Sequence, residues 1–120
     1  MTQILIAEDA NFSRAVLRKM LRQAGYDILE VGDGQECLQV LATENPDCLI
    51  LDLLMPQISG YQVLEKLAQQ EKTIPVIVVT ADVQETTRQH CLALGAIAVL
   101  NKPPNLEKIQ ALLQQVLPKT

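Results

Sequence analysis

The chain has 120 residues, 48% of them hydrophobic and 20% charged, and carries a net charge of −4. This length predicts one domain over residues 1–120 with a sizeable core and no attached effector domain; the composition excludes a disordered chain, and the acidic balance argues against nucleic acid as a partner. No apolar run approaches the roughly 20 residues of a membrane span, and "MTQILIAEDA" lacks the basic and long apolar regions of a signal peptide, so a cytoplasmic protein that meets no membrane is expected.

Taken in chain order, "QILIA" (3–7) reads as a buried strand. Val16, Leu17, Met20, Leu21 and Ala24 then fall at helical spacing, with Asn11 as a candidate cap and Gly25 as a stop. "YDILEV" is a second strand, Gly32-Asp33-Gly34 a turn, and Cys37, Leu38 and Leu41 mark a second helix. "DCLILD" (47–52) is a third strand; Val63, Leu64 and Leu67 mark the helix after Gly60. "PVIVVT" (75–80) is the most β-branched strand, and "QETTRQHCLALG" the helix that follows. "IAVLN" (97–101) is a fifth strand, and Leu106, Ile109, Leu112, Leu113 and Val116 give an amphipathic helix before Pro118. Cys37, Cys48 and Cys91 are scattered, odd in number and without a C-x-x-C pair, which fits small apolar residues in a reducing compartment.

Five βα units with short, apolar strands predict an α/β fold: a doubly wound, five-stranded parallel sheet covered by five helices, flavodoxin-like, in the order 2-1-3-4-5. Such sheets bind ligands outside the carboxyl ends of the strands, at the switch point between the first and third. There the chain places Glu8 and Asp9, then Asp52, then Thr80, Ala81 and Asp82, then Asn101, Lys102 and Pro103. Glu8, Asp9 and Asp52 are expected to share one crevice. Three such carboxylates repel one another, and a divalent cation relieves the repulsion; hard oxygen donors few in number suit Mg²⁺. A carboxylate nucleophile at Asp52, a metal, the Lys102 ammonium and the Thr80 hydroxyl together suit phosphoryl transfer onto Asp52, with small Ala81 leaving room for the incoming group. Each signal alone is commonplace: an acidic loop, a strand-end threonine, a Lys-Pro loop. Their joint placement at four strand ends carries the reading. His90, the only histidine, falls on a helix away from those ends and reads as a surface residue.

The stretches "ILIAEDAN", "VGDGQECL", "CLILDLLMPQISGYQVL", "PVIVVTAD" and "GAIAVLNKP" together resemble the receiver domain of bacterial two-component response regulators, most of all its single-domain, chemotaxis-type members. The resemblance runs from Ile4 to about Val116. It implies a phosphorylation-switched signalling module, not a metabolic enzyme, that receives a phosphoryl group from a histidine kinase or phosphotransfer protein and assists its own phosphorylation and dephosphorylation. Asp52 would be the phosphoacceptor, Asp9 a direct Mg²⁺ ligand, Glu8 a ligand through water, and the Leu54 backbone carbonyl a third protein ligand. Thr80 and Lys102 would bind the phosphoryl group, and the Lys102–Pro103 bond would be cis. Pro56 and Gly60 would shape the loop after Asp52, Gly60 through a backbone unfavourable to other residues. Leu54 and Asp82 flank the site where the family varies. Val99 stands where the family usually has an aromatic that rotates inward. A valine does not make that rotation, so output is expected to run through residues 81–84 and to emerge on the face of the fourth helix, fifth strand and fifth helix, where a phosphorylation-dependent target would dock.

Two other chemistries fit less well. Haloacid-dehalogenase-like enzymes place an aspartate two residues after their nucleophile; here that position is Leu54. A flavin carrier needs a glycine- and hydroxyl-rich phosphate loop after the first strand, where this chain has Glu8-Asp9-Ala10-Asn11. The complete set of Glu8, Asp9, Asp52, Thr80 and Lys102 also argues against a degenerate receiver that binds its partner constitutively.

Overall fold

A computed structural model describes residues 2–70 and 73–117; Pro118, the expected stop of the last helix, lies outside them. The strands are β1 (Gln3–Ala7), β2 (Asp27–Val31), β3 (Cys48–Leu51), β4 (Val76–Thr80) and β5 (Ala98–Asn101). The helices are α1 (Asn11–Gln23), α2 (Gly34–Thr43), α3 (Gly60–Gln69), α4 (Glu85–Ala93) and α5 (Leu106–Val116). All strand pairs are parallel, and the sheet order is β2-β1-β3-β4-β5, as expected from the sequence.

The two-residue period of the strands splits the core into two layers. Leu5, Ala7, Leu49, Leu51, Val76 and Val78 face one side, against Cys37, Leu41, Val63, Leu64, Leu67 and Cys91. Ile4, Ile6, Cys48, Ile50, Ile77 and Val79 face the other, against Leu17, Leu21, Ile109 and Leu113. Strands buried on both faces must be apolar at every position, which is why they read as runs and not as alternations. The three cysteines are reduced and buried, and burial pushes the Cys37 and Cys48 thiols up to about 12.

Helix ends follow local chemistry with one departure. Asp33, Ser59 and Asn105 cap α2, α3 and α5 by accepting from Glu36, Gln62 and Lys108 backbone N–H groups. Asn11, the expected cap of α1, is already helical; Ala10 holds the N-cap position, and the Asn11 side chain accepts instead from Arg14 at 2.7 Å. Gly25 follows α1 with φ +99°, the left-handed stop its position suggested.

Gly60 is needed for a different reason from the one expected. The positive-φ glycines are Gly25 and Gly95, whereas Gly60 is pressed against the chain leaving β3. A Cβ there would lie 2.3 Å from the Asp52 carbonyl oxygen and 2.8 Å from the Leu53 Cα. The Gly60 N–H also donates to the Leu53 carbonyl at 2.9 Å. The left-handed residue of this loop is Gln57 (φ 67°), with the Ile58 N–H donating to the Pro56 carbonyl at 2.8 Å across it: a γ-turn of the rare positive-φ kind. We expect Gly60→Ala to lower unfolding stability by about 1–3 kcal/mol through overpacking against rigid backbone. Gly25→Ala, whose new Cβ meets nothing within 4 Å, should cost about 1–2 kcal/mol from left-handed backbone strain alone. Urea titration of both variants checks this, and a wild-type midpoint for Gly60→Ala would contradict the close approach.

Candidate functional site

Three residues at the sheet's carboxyl edge sit one position beyond a strand, with their backbones still tied to the neighbouring strand. Glu8 N–H donates to the Val31 carbonyl (3.1 Å), Asp52 N–H to the Ala7 carbonyl (3.0 Å) and Lys102 N–H to the Thr80 carbonyl (2.9 Å). Asp52 therefore follows β3 instead of ending it, yet inherits the rigidity of the ladder. The side chains converge: Lys102 Nζ donates to Asp52 Oδ2 at 3.2 Å and pairs with Glu8 Oε1. Glu8 is 2% exposed and Asp52 7%. Asp52 Oδ1 accepts from the Leu53 N–H at 2.8 Å, and Glu8 Oε2 from the Ala10 N–H at 3.3 Å.

Two buried carboxylates thus share the Lys102 ammonium. Burial pushes the Glu8 carboxyl above its ordinary range, and the adjacent Asp52 carboxylate adds to this, outweighing Lys102. Burial works against the Lys102 ammonium, but its bond to Glu8 and the charges of both acids hold it above its usual value.

The expected crevice of three acids is open at one corner. Asp9 is exposed at the rim, with no hydrogen-bond or ion-pair partner among the described residues. It lines a cavity of about 340 Å³ with Leu53, Leu54, Met55, Pro56 and Ser59. Among the described residues no three acidic, histidine or cysteine side chains stand close enough to hold a metal by themselves. The donors that the cavity offers are nevertheless hard oxygens, the unpaired Asp9 carboxylate and the Leu53–Met55 backbone, with Asp52 next in the chain to Leu53. That set fits a Mg²⁺ that keeps much of its water shell. Glu8, expected to act through water, pairs its Oε1 with Lys102.

The remaining expected residues surround these. Thr80 is 1% exposed, and its hydroxyl accepts from the Asp82 N–H at 3.2 Å. Ala81 is exposed; the Leu54 side chain is 77% exposed over the site; the Lys102–Pro103 bond is cis. Val99 pairs with Val78 and packs, half-buried, against the layer containing Leu51 and Cys91. His90 is exposed, away from the site, with its ring stacked on Tyr61 at 4.8 Å.

Sequence reading missed Arg14. Its guanidinium donates to the Glu8 carbonyl (2.8 Å) and to Glu30 (3.2 Å), which also accepts from Arg18 (2.8 Å). Arg14 and Arg18 stand four apart on one helix face, a spacing that could have flagged a shared carboxylate. Asn101 was also missed as a contact: its amide donates to the Asp82 carbonyl at 2.9 Å, nineteen residues away, and no local pattern announces such a bond.

The raised Glu8 carboxyl has a consequence for stability. Its folded value lies above its unfolded value of about 4.5, so the folded state holds the proton more tightly. Stability is then greatest at low pH for this group and falls as pH rises from 4.5 through the folded value. In buffer free of divalent cations, Glu8→Gln should flatten the part of the stability profile that begins near pH 4.5. Urea midpoints at several pH values check it.

The model of the response regulator receiver domain matches residues 4–114. The chain is 31% identical over 115 residues to the alkaline phosphatase synthesis transcriptional regulatory protein PhoP of Bacillus subtilis, covering 96% of this chain and 48% of that protein. It thus spans about half the length of that relative. Among solved structures it superposes on a chemotaxis protein of Vibrio cholerae with a TM-score of 0.87 at 29% identity, over 98% of this chain and 99% of that one. It matches equally well (0.87, 29%, 96% of each chain) the receiver domain of a sensor histidine kinase from Pseudomonas aeruginosa, solved with a magnesium ion coordinated in its active-site cleft. With the sheet order, the acidic strand ends and the lysine between them already in place, these matches lead to one conclusion: the chain belongs to the response regulator receiver domain family of two-component signalling.

Proposed function

We propose that Asp52 accepts a phosphoryl group from a phosphohistidine on a histidine kinase or phosphotransfer protein in the cytoplasm, and that the modified domain changes its affinity for a protein target. The observation that carries this is the Lys102 ammonium held between Asp52 and Glu8 at the sheet's carboxyl edge. An Asp52 oxygen forms the new bond to phosphorus as the donor's nitrogen–phosphorus bond breaks. Lys102, already 3.2 Å from Asp52 Oδ2, needs little movement to meet the incoming negative oxygens. The Thr80 hydroxyl, which accepts from Asp82, keeps its own hydrogen free to donate to one of them. The Asp52 and Asp9 carboxylates and the Leu54 carbonyl would hold Mg²⁺, with Glu8 reaching it through water. Bound there, the ion would neutralise charge on the transferring group. The half-buried Val99 leaves the face of α4, β5 and α5 to respond through residues 81–84, and that face is where the target would dock.

A small acyl phosphate with Mg²⁺ should label wild type on Asp52, and Asp52→Asn should take up no stable phosphate while keeping its fold. Intact-mass measurement decides between this and an alternative acceptor, because wild-type incorporation into Asp52→Asn would end the assignment. Removing the rim carboxylate should act on the metal alone. Asp9→Asn is expected to lose most of the Mg²⁺-induced rise in melting temperature. A full rise in that variant would mean that Asp9 is not a ligand.

A further inference from the structure

α4 starts without a cap of its own. Gln84 holds the N-cap position and makes no side-chain cap bond, whereas α2, α3 and α5 each have one. The missing bond comes from two residues upstream. Asp82 Oδ1 accepts from the Gln84 N–H at 2.9 Å, and Asp82 Oδ2 accepts from the Thr87 hydroxyl at 2.7 Å, in the first turn. The Asp82 backbone is engaged on both sides as well. Its N–H donates to the Thr80 hydroxyl at 3.2 Å, and its carbonyl accepts from the Asn101 amide of β5 at 2.9 Å. Every polar group of this one residue is therefore occupied, and its four partners lie at the site, in β5, at the N-cap of α4 and in its first turn.

We propose that Asp82 is a positioning residue that transmits the state of the Asp52 pocket to the first turn of α4, a device in which polar contacts take over from the aromatic that position 99 lacks. The inference rests on phosphorylation at Asp52 as proposed above. When the Thr80 hydroxyl moves toward an anion on Asp52, the Asp82 N–H either follows it or loses its partner. Following is favoured, because a loop N–H without an acceptor is costly. The carboxylate then carries the Gln84 N–H and the Thr87 hydroxyl with it, while Asn101 keeps the loop in step with β5. The bonds from Gln84 and Thr87 also hold the Asp82 carboxyl below the usual carboxylate range, which keeps it an acceptor near neutral pH. Thr87 is 8% exposed, so its hydroxyl has little water to turn to if Asp82 is removed.

The experiment adds beryllofluoride and Mg²⁺ to wild type, Asp82→Ala, Thr87→Val and Thr87→Ser. It follows the amide resonances of residues 84–88 by NMR, and those of Leu53 and Leu54 as a measure of loading. Thr87→Val keeps the shape of the side chain and removes only the hydroxyl, and Thr87→Ser restores it. The expected result is full loading at Leu53 and Leu54 in every protein, with the response at 84–88 at least halved in Asp82→Ala and Thr87→Val and retained in Thr87→Ser. A wild-type response at 84–88 in both Asp82→Ala and Thr87→Val overturns the role of Asp82 and leaves the reading of Asp52 intact. Absence of loading in wild type overturns both. Loss of the response in Thr87→Ser as in Thr87→Val also counts against the proposal, because packing and not the hydroxyl would then be the carrier.

Discussion

The Lys102 ammonium shared by Glu8 and Asp52 is the constraint around which the carboxyl edge of this sheet is organised. Two acidic side chains removed from water face one cation, so each depends on it for its partner. Removing either acid's partner would leave a buried charge uncompensated, a loss that typically reaches several kcal/mol. Burial has raised Glu8, and what holds the cluster together is geometry set by the sheet: each of the three backbones is hydrogen-bonded to a neighbouring strand. A site assembled this way is rigid where charge is concentrated. Its adjustable parts lie outside it, in the exposed Asp9 rim and the loop after β4.

Rigidity at Asp52 also comes from the far side of β3. The chain leaving the strand is pressed by Gly60, and α2 approaches the same loop through Gly34, where a Cβ would meet the Ile58 carbonyl oxygen at 2.1 Å. The loop between Asp52 and α3 is thus clamped by two helices at positions that only glycine fills without displacement. The capping box of Ser59 and Gln62 fixes where α3 begins. The Asp52 backbone cannot drift without moving α2 and α3, so its position is determined by packing on one side and ion pairing on the other.

Most of this was legible in the sequence because the relevant signals are local or periodic. Apolar runs of four to five residues, separated by helical spacing, specify a parallel sheet covered on both faces, and the parallel order then dictates which loops meet. Glu8, Asp52, Thr80 and Lys102 could be brought together on that basis alone. The departures arise where particular contacts, and not hydrophobic periodicity, decide what a residue does. Gly60 looked like a residue chosen for unusual φ, whereas its neighbour is backbone at Asp52. Asn11 looked like a cap, but the helix had already begun, and Arg14 claimed its side chain. Asp9 read as a third member of the crevice; its side chain stands exposed at the rim, whereas that of Glu8 is buried.

The same distinction bears on how the domain changes state. An aromatic at position 99 would signal by swapping between two packing sites, which requires space and a large side chain. Val99 sits half-buried against the layer beneath β5, and its short side chain cannot reach from one packing site to another as a ring can. Hydrogen bonds offer a different kind of discreteness, since a donor either has its acceptor or lacks it. The chain Thr80–Asp82–Thr87, with Asn101 holding the loop to β5, has that character: each link is between 2.7 and 3.2 Å, and each ends on a group belonging to a different element or to the loop between them. In such a network a displaced donor or acceptor either takes its partner along or parts from it, so a shift of the Thr80 hydroxyl toward a new anion on Asp52 would be felt at Asp82 and, through its carboxylate, at Thr87.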